Sequence, residues 1–109
     1  HVAFNPVGTT LATRTRIVQL SAATRSDNLE TFPEFGSLDE VPTHGVSVGL
    51  GTIVEQSRRV TLVRTGAEKR AAVSRLRRCP DFTSDCPASF IYRCQNPTIL
   101  VDRFASPAA

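Results

Sequence analysis

The stretch RVTLVRTGAEK, residues 59–69, decides the fold. Its first seven residues are rich in β-branched types and predict a strand, and Gly66 stands where that strand must turn sharply into a helix. In the following residues, 67–77, the apolar side chains Ala72, Val73 and Leu76 share one side, which predicts an amphipathic crossover helix. The sequence therefore contains a strong strand–turn–helix unit.

The same alternation extends in both directions from this unit. Toward the N-terminus we predict strands at 15–20 and 44–48 and helices at 22–32 and 53–58, and toward the C-terminus a helix at 88–94 and a strand at 98–102. The order β-α-β-α-β-α-α-β predicts the α/β class, with a parallel sheet, right-handed crossovers and helices on both faces. A sheet of four strands has at least one unpaired edge, so we expect residues 1–109 to be part of a larger domain. We expect residues 103–109 to form a frayed tail.

Composition excludes several function classes. The 109 residues include 40% hydrophobic and 21% charged types, which is ordinary for a globular chain. No apolar run approaches the roughly 20 residues that span a bilayer, so we expect no membrane partner. A net charge of +3 is too small to indicate a nucleic-acid partner. Because residue 1 is histidine and no leader pattern follows, we expect neither a native start nor a secretory signal.

Three cysteines, Cys79, Cys86 and Cys94, match no zinc-binding spacing, so we predict no metal site. We expect free, partly buried thiols in a reducing cytosol, and hence a cytoplasmic location. A disulfide between Cys79 and Cys86, across the loop 80–85, stays open as an alternative.

Two strand-to-helix turns are candidate anion sites, because helix N-termini present unpaired N–H groups. The first, residues 48–52, carries Gly49 and Gly51, but an isolated G-x-G is more often a structural turn. The second, residues 65–69, places the only lysine, Lys69, in the first helical turn. A cation is disfavoured at that end by the helix dipole, which indicates an anionic ligand such as a phosphate. The alternative is a solvated surface lysine.

Three motifs give the chain a family resemblance. The segments HVAFN (1–5), Thr9-Thr10 and TRTR (13–16) resemble the G-H-I-A-F-N-E-P…S-R-T-R signature of the glucosamine-6-phosphate deaminase/isomerase family. The segments VSVGLGTI (46–53) and GAEK (66–69) are similar to its L-T-V-G-V-G-T-L and G-x-x-K motifs. The resemblance covers about the first three quarters of the chain and corresponds to the C-terminal half of the family's domain.

The resemblance implies a Rossmann-like α/β fold and a reaction that needs no cofactor. That reaction converts glucosamine 6-phosphate to fructose 6-phosphate and ammonia, as part of amino-sugar carbohydrate metabolism. It implies that His1 is the catalytic ring-opening histidine, that Lys69 binds the substrate phosphate, and that Thr9 and Arg16 match an allosteric site found in some members. The implied partners are the sugar-phosphate substrate and the N-terminal half of the same domain, which carries the catalytic base; a homo-oligomer is left open.

The departures from the family pattern support other hypotheses. Pro6 stands where the family has the glutamate that assists its histidine, Glu30 where it has a phosphate-binding arginine, and Val18 where it has an allosteric lysine. A catalytically degenerate sugar-phosphate-binding or regulatory domain is therefore the alternative function. A 6-phosphogluconolactonase-like hydrolase is the third hypothesis, although the F-N and R-T-R matches favour the deaminases.

Overall fold

Strands and helices alternate along the chain in the predicted order. A computed structural model describes residues 2–107. The regular elements are β1 (Arg16–Gln19), α1 (Ala22–Thr31), β2 (His44–Ser47), α2 (Leu50–Gln56), β3 (Val60–Arg64), α3 (Arg70–Arg78) and β4 (Pro97–Val101). The predicted α/β class, with a parallel strand pair and helices, is confirmed.

The core lies beneath the parallel pair β3–β4. The pairing runs from Val60 opposite Pro97 to Arg64 opposite Val101. Leu62 of β3 joins Leu76 of α3 and Ile91 in one buried apolar cluster. Of the three residues predicted to form the apolar side of this helix, Val73 and Leu76 are buried and Ala72 is exposed. Burying such side chains is the main stabilising contribution to this half of the chain.

The other strand pair corrects our expectation of a sheet that is parallel throughout. β1 and β2 pair antiparallel, with Ile17 opposite Val46, and form a two-stranded sheet separate from β3–β4. A parallel pair needs a crossover element packed on the sheet. Helix α1 has no buried residue and two 3₁₀ turns follow it, so the connection between β1 and β2 contains no buried crossover helix.

Two predicted helices have a different local geometry. The segment Ala67–Lys69 is a 3₁₀ turn, and the α-helix begins at Arg70. The segment Pro87–Arg93 also consists of 3₁₀ turns, with Phe90 and Ile91 buried. Tight 3₁₀ turns are common at helix ends and in short connections.

The expectation of a frayed tail at 103–109 is wrong for its first part. Ala105 is fully buried and its N–H donates to Asp102 Oδ1 over 2.7 Å, while Arg70 donates to the Phe104 carbonyl oxygen over 2.9 Å. Residues 108 and 109 lie outside the described part. No helix within residues 2–107 is long and apolar enough to cross a membrane.

Candidate functional site

A buried asparagine organises the segment that carries the first sequence motif. The side chain of Asn5 is fully buried. Its Nδ2 donates to the carbonyl oxygens of Val2, over 2.9 Å, and Val48, over 2.7 Å, and its Oδ1 accepts from Arg16 Nη1 over 2.5 Å. Because a buried amide is costly unless it is paired, this network fixes the motif segment to both β1 and the end of β2.

The segment before Asn5 forms a tight turn against β2. Ala3 has a φ of 50°, in the left-handed region that L-residues seldom adopt, and the Phe4 N–H donates to Ser47 Oγ over 3.2 Å. Strained backbone of this kind persists where the surroundings hold it, as they do here. The predicted catalytic residue His1 lies outside the described residues, directly before this turn.

The two candidate allosteric residues are brought to the same segment. The Thr9 hydroxyl donates to the carbonyl oxygen of Pro6 over 2.7 Å, and only 7% of Thr9 is exposed. The half-buried guanidinium of Arg16 bonds to Asn5. Both side chains thus stabilise residues 5–6, and their proposed regulatory role stays a prediction.

The glycines of the turn at 48–52 are required by close packing. A Cβ on Gly49 would lie 2.1 Å from the carbonyl oxygen of Thr13, and one on Gly51 would lie 2.7 Å from that of Leu11. The Gly51 N–H donates to the Thr13 carbonyl oxygen over 2.9 Å, so it is not free to bind an anion. The structural alternative for this turn is therefore the one that the geometry supports.

The second candidate turn, residues 65–69, is held by the carboxylate of Asp102, which directly follows β4. Gly66 has a φ of 91°, and its N–H donates to both carboxylate oxygens of Asp102, over 3.1 and 3.2 Å. Oδ1 of the same carboxylate accepts the Ala105 N–H. Asp102 therefore caps this turn and joins the start of the α3 unit to the turn at residues 103–105.

Lys69 lies at the N-terminal end of α3, next to this turn. Its side chain is exposed and has no ion pair with any residue in 2–107. The neighbouring Glu68 carboxylate lies over Gly66, where a Cβ would be 2.6 Å from its oxygens. An exposed ammonium at a helix N-terminus can attract an anion, but the adjacent carboxylate weakens that field.

Two open cavities flank the loop that follows the first motif. The larger, of about 570 Å³, is lined by Phe4, Pro6, Val7 and residues 19–22 and 24. The smaller, of about 280 Å³, lies between Val7, α3 and residues 85–88, and includes Arg64 and Arg75. Val7 lines both cavities, and the Gly8 N–H donates to the Ser84 carbonyl oxygen over 2.8 Å. The loop therefore joins the two halves of the chain, although Lys69, Thr9 and Arg16 line neither cavity.

The three cysteines are free thiols: Cys86 is buried in the core cluster, and Cys79 and Cys94 pack against it. Burial, with the neighbouring Cys86 thiol, raises the pKa of Cys79, while Arg75 and Arg78 act in the opposite direction. Burial also raises the pKa of Cys94. Thiols with raised pKa values are poor nucleophiles near neutral pH. No group of His, Cys, Asp or Glu side chains within residues 2–107 is arranged to hold a metal ion.

The sequence patterns did not predict the hydrogen-bond networks of Asn5 and Arg25. Two carbonyl oxygens, those of Leu38 and Val41, accept from Arg25 Nη2 over 2.8 and 2.9 Å, which ties the loop after α1 to that helix. Neither role has a local sequence signal, because both depend on partners distant in the chain.

The strand–turn–helix units define a segment of an α/β domain. No protein-family model matches the chain. It is 42% identical over 108 residues to the glucosamine-6-phosphate deaminase of Pseudarthrobacter chlorophenolicus, covering 99% of this chain and 40% of the relative. The corresponding enzyme of Mycolicibacterium smegmatis is 41% identical over 106 residues, covering 97% and 39%, and that of Bacillus cereus strain G9842 is 36% identical over 105 residues, covering 96% and 38%.

A solved structure gives the same result for the fold. It is described as a monomeric glucosamine-6-phosphate deaminase and a missing link of the NagB superfamily; it superimposes with a TM-score of 0.82 at 36% identity, covering 94% of this chain and 40% of that chain. The resemblance to the glucosamine-6-phosphate deaminase family is thereby confirmed. The chain spans about 40% of the length of the relatives it matches, which fits the C-terminal part of their domain.

Proposed function

We propose that this chain supplies the C-terminal part of a glucosamine-6-phosphate deaminase, a domain that isomerises and deaminates glucosamine 6-phosphate to fructose 6-phosphate and ammonia. The similarity to deaminases over nearly the whole chain carries the proposal. A sugar phosphate is the substrate, and the N-terminal part of the domain is the partner that supplies the catalytic base. A cytoplasmic location and assembly into a homo-oligomer stay predictions.

His1 is the proposed ring-opening residue, since imidazole can relay a proton near neutral pH. The turn at 2–5 supports this role because Asn5 and Ser47 hold the adjoining backbone in one conformation. A fixed backbone next to a catalytic group limits the orientations of that group, which favours proton transfer. Lys69, with an exposed ammonium at the start of α3, is the proposed phosphate ligand.

The proposal is tested by a chimera in which this chain replaces the matching segment of the Pseudarthrobacter deaminase. We expect ammonia release from glucosamine 6-phosphate. In the chimera, Lys69→Met should raise KM about tenfold or more, because a hydrogen bond to a charged group contributes about 1.5–3 kcal/mol. Arg78→Met, which removes a cation at the opposite end of the same helix, is the matched control and should leave KM unchanged. A chimera that binds the sugar phosphate but releases no ammonia contradicts the enzyme proposal.

A catalytically degenerate sugar-phosphate-binding domain is the second candidate, and two residues favour it. Pro6 has no group that can move a proton, and Glu30 places an exposed negative charge on α1 where the family has a cation. Pro6→Glu in the chimera separates the candidates, since a carboxylate restored next to the histidine should raise kcat if the rest of the site is functional. If kcat stays at background while binding persists, the degenerate domain is the better description.

A further inference from the structure

Each strand pair leaves one face uncovered within residues 2–107. In β1–β2 the opposed side chains Ile17 and Val46 are 72% and 70% exposed, and in β3–β4 Val63 and Leu100 are both 54% exposed. Since side chains alternate across a strand, each pair shares its face with two neighbours: Gln19 and His44 in β1–β2, and Thr61 and Thr98 in β3–β4. We call these two sets of four side chains the outer faces.

The outer faces have the composition of covered surfaces. Antiparallel sheets that face water normally place polar residues outward, and parallel strands are almost always covered on both sides. Here each outer face carries an apolar cross-strand pair. None of the eight side chains on the two faces is Asp, Glu, Lys or Arg, in a chain with 21% charged residues. Covering such a surface removes apolar area from water without desolvating a formal charge.

The relatives are long enough to supply a segment that covers these faces. The chain spans 40% of the Pseudarthrobacter deaminase, so more than half of that protein lies outside the matched segment. In addition, β3–β4 is a two-stranded parallel pair whose strands each have one unpaired edge within the described residues. Parallel pairs of that size occur as parts of larger sheets.

We infer that the two outer faces, around the Ile17–Val46 and Val63–Leu100 pairs, are the surfaces against which the N-terminal part of the same α/β domain packs. This inference rests on the proposed function for the identity of the partner. The partner surface opposite the two apolar pairs is apolar, because a charged group there would be buried against side chains that carry no opposite charge.

The test compares cysteine labelling in the 109-residue chain and in the Pseudarthrobacter chimera. Ile17→Cys and Leu100→Cys are labelled with a maleimide, and mass spectrometry measures the rate at the introduced thiol. Leu38→Cys, in an exposed 3₁₀ turn outside both sheets, is the control. Labelling at both outer-face positions should be slowed about tenfold or more in the chimera, as expected when a site reacts only through local opening, while the control is unchanged.

Equal labelling rates in the two proteins overturn the inference. Protection in the 109-residue chain that grows with its concentration also overturns it, because the occupant is then a second copy. Protection in a chimera that releases no ammonia supports the surfaces while contradicting the proposed function, so the two failures are distinguishable.

A second measurement does not depend on the chimera. In the 109-residue chain Ile17→Thr keeps a β-branched residue in β1 and should leave the thermal midpoint unchanged, whereas Leu62→Thr, in the core, should lower it strongly. A comparable loss for Ile17→Thr overturns the inference, because the outer face would then be part of this chain's own core.

Discussion

Replacing Asn5 with alanine removes three hydrogen bonds from a fully buried position. The bond from the Arg16 guanidinium has a charged donor and contributes about 1.5–3 kcal/mol, and each of the two amide–carbonyl bonds contributes about 1 kcal/mol. We therefore expect the free energy of unfolding to fall by about 3–5 kcal/mol, a large part of the total for a small domain. Alanine also leaves the Arg16 guanidinium without its partner, while the Val2 and Val48 carbonyl oxygens each keep one donor, the backbone N–H of residue 5 and the Ser47 hydroxyl.

Urea denaturation of the 109-residue chain, followed by circular dichroism, measures this loss. With an m-value of about 1–3 kcal/mol per molar urea, the unfolding midpoint should fall by about 1 M or more. The matched control is Asn28→Ala on α1, since the Asn28 side chain is half-buried and has no hydrogen-bond partner within residues 2–107. If Asn5→Ala stays within about 1 kcal/mol of the parent chain, the buried network does not have the stabilising role that its geometry gives it.

Three further results are expected. Asp102→Ala should lower the free energy of unfolding by about 1–3 kcal/mol, because it leaves the Gly66 N–H and a second N–H unpaired; an unchanged urea midpoint would contradict the turn-cap role. Hydrogen bonds from Arg93 hold the pKa of Asp81 at about 2, below its ordinary 3.8. The ionised carboxylate therefore stabilises the folded chain above pH 3.8, and this contribution is lost as the pH falls through about 2. Asp81→Asn should accordingly be less stable than the parent chain above pH 3.8 and approach it in stability at lower pH. The thermal midpoints of both proteins measured from pH 6 to pH 2 check this, and a difference of constant size over that range is inconsistent with it. Because its pKa is raised, Cys79 should react with iodoacetamide at pH 7 more slowly than free cysteine, as followed by mass spectrometry; faster reaction would refute that assignment.

Local sequence patterns predicted the elements closely but not every strand pairing. The strand predicted at 59–65 is observed at Val60–Arg64, and the helix predicted at 22–32 is observed at Ala22–Thr31. Periodicity and β-branched content determine such elements within a few residues. The antiparallel pairing of β1 with β2 was not predicted, because it depends on long-range contacts such as that of Phe4 with Ser47.

The candidate site was predictable only in part. The family motifs predict functional roles for His1 and Lys69, and both roles remain proposals. His1 lies outside the described residues. The network around Asn5 could not be read from the sequence, since its partners are up to 43 residues away. Neutral polar side chains acquire such roles only through the packing around them.

The order in which the strands pair affects how the chain can fold during synthesis. β1 pairs with β2 before β3 begins in the sequence, so the two pairings follow one another and do not interleave. Residues 2–56 can therefore complete their pairing and the Asn5 network while residues 57–107 are still being translated. Formation of the β3–β4 pair is then the late, non-local step, because its partners, such as Val60 and Pro97, are 37 residues apart. Substitutions in these two strands should therefore slow folding most.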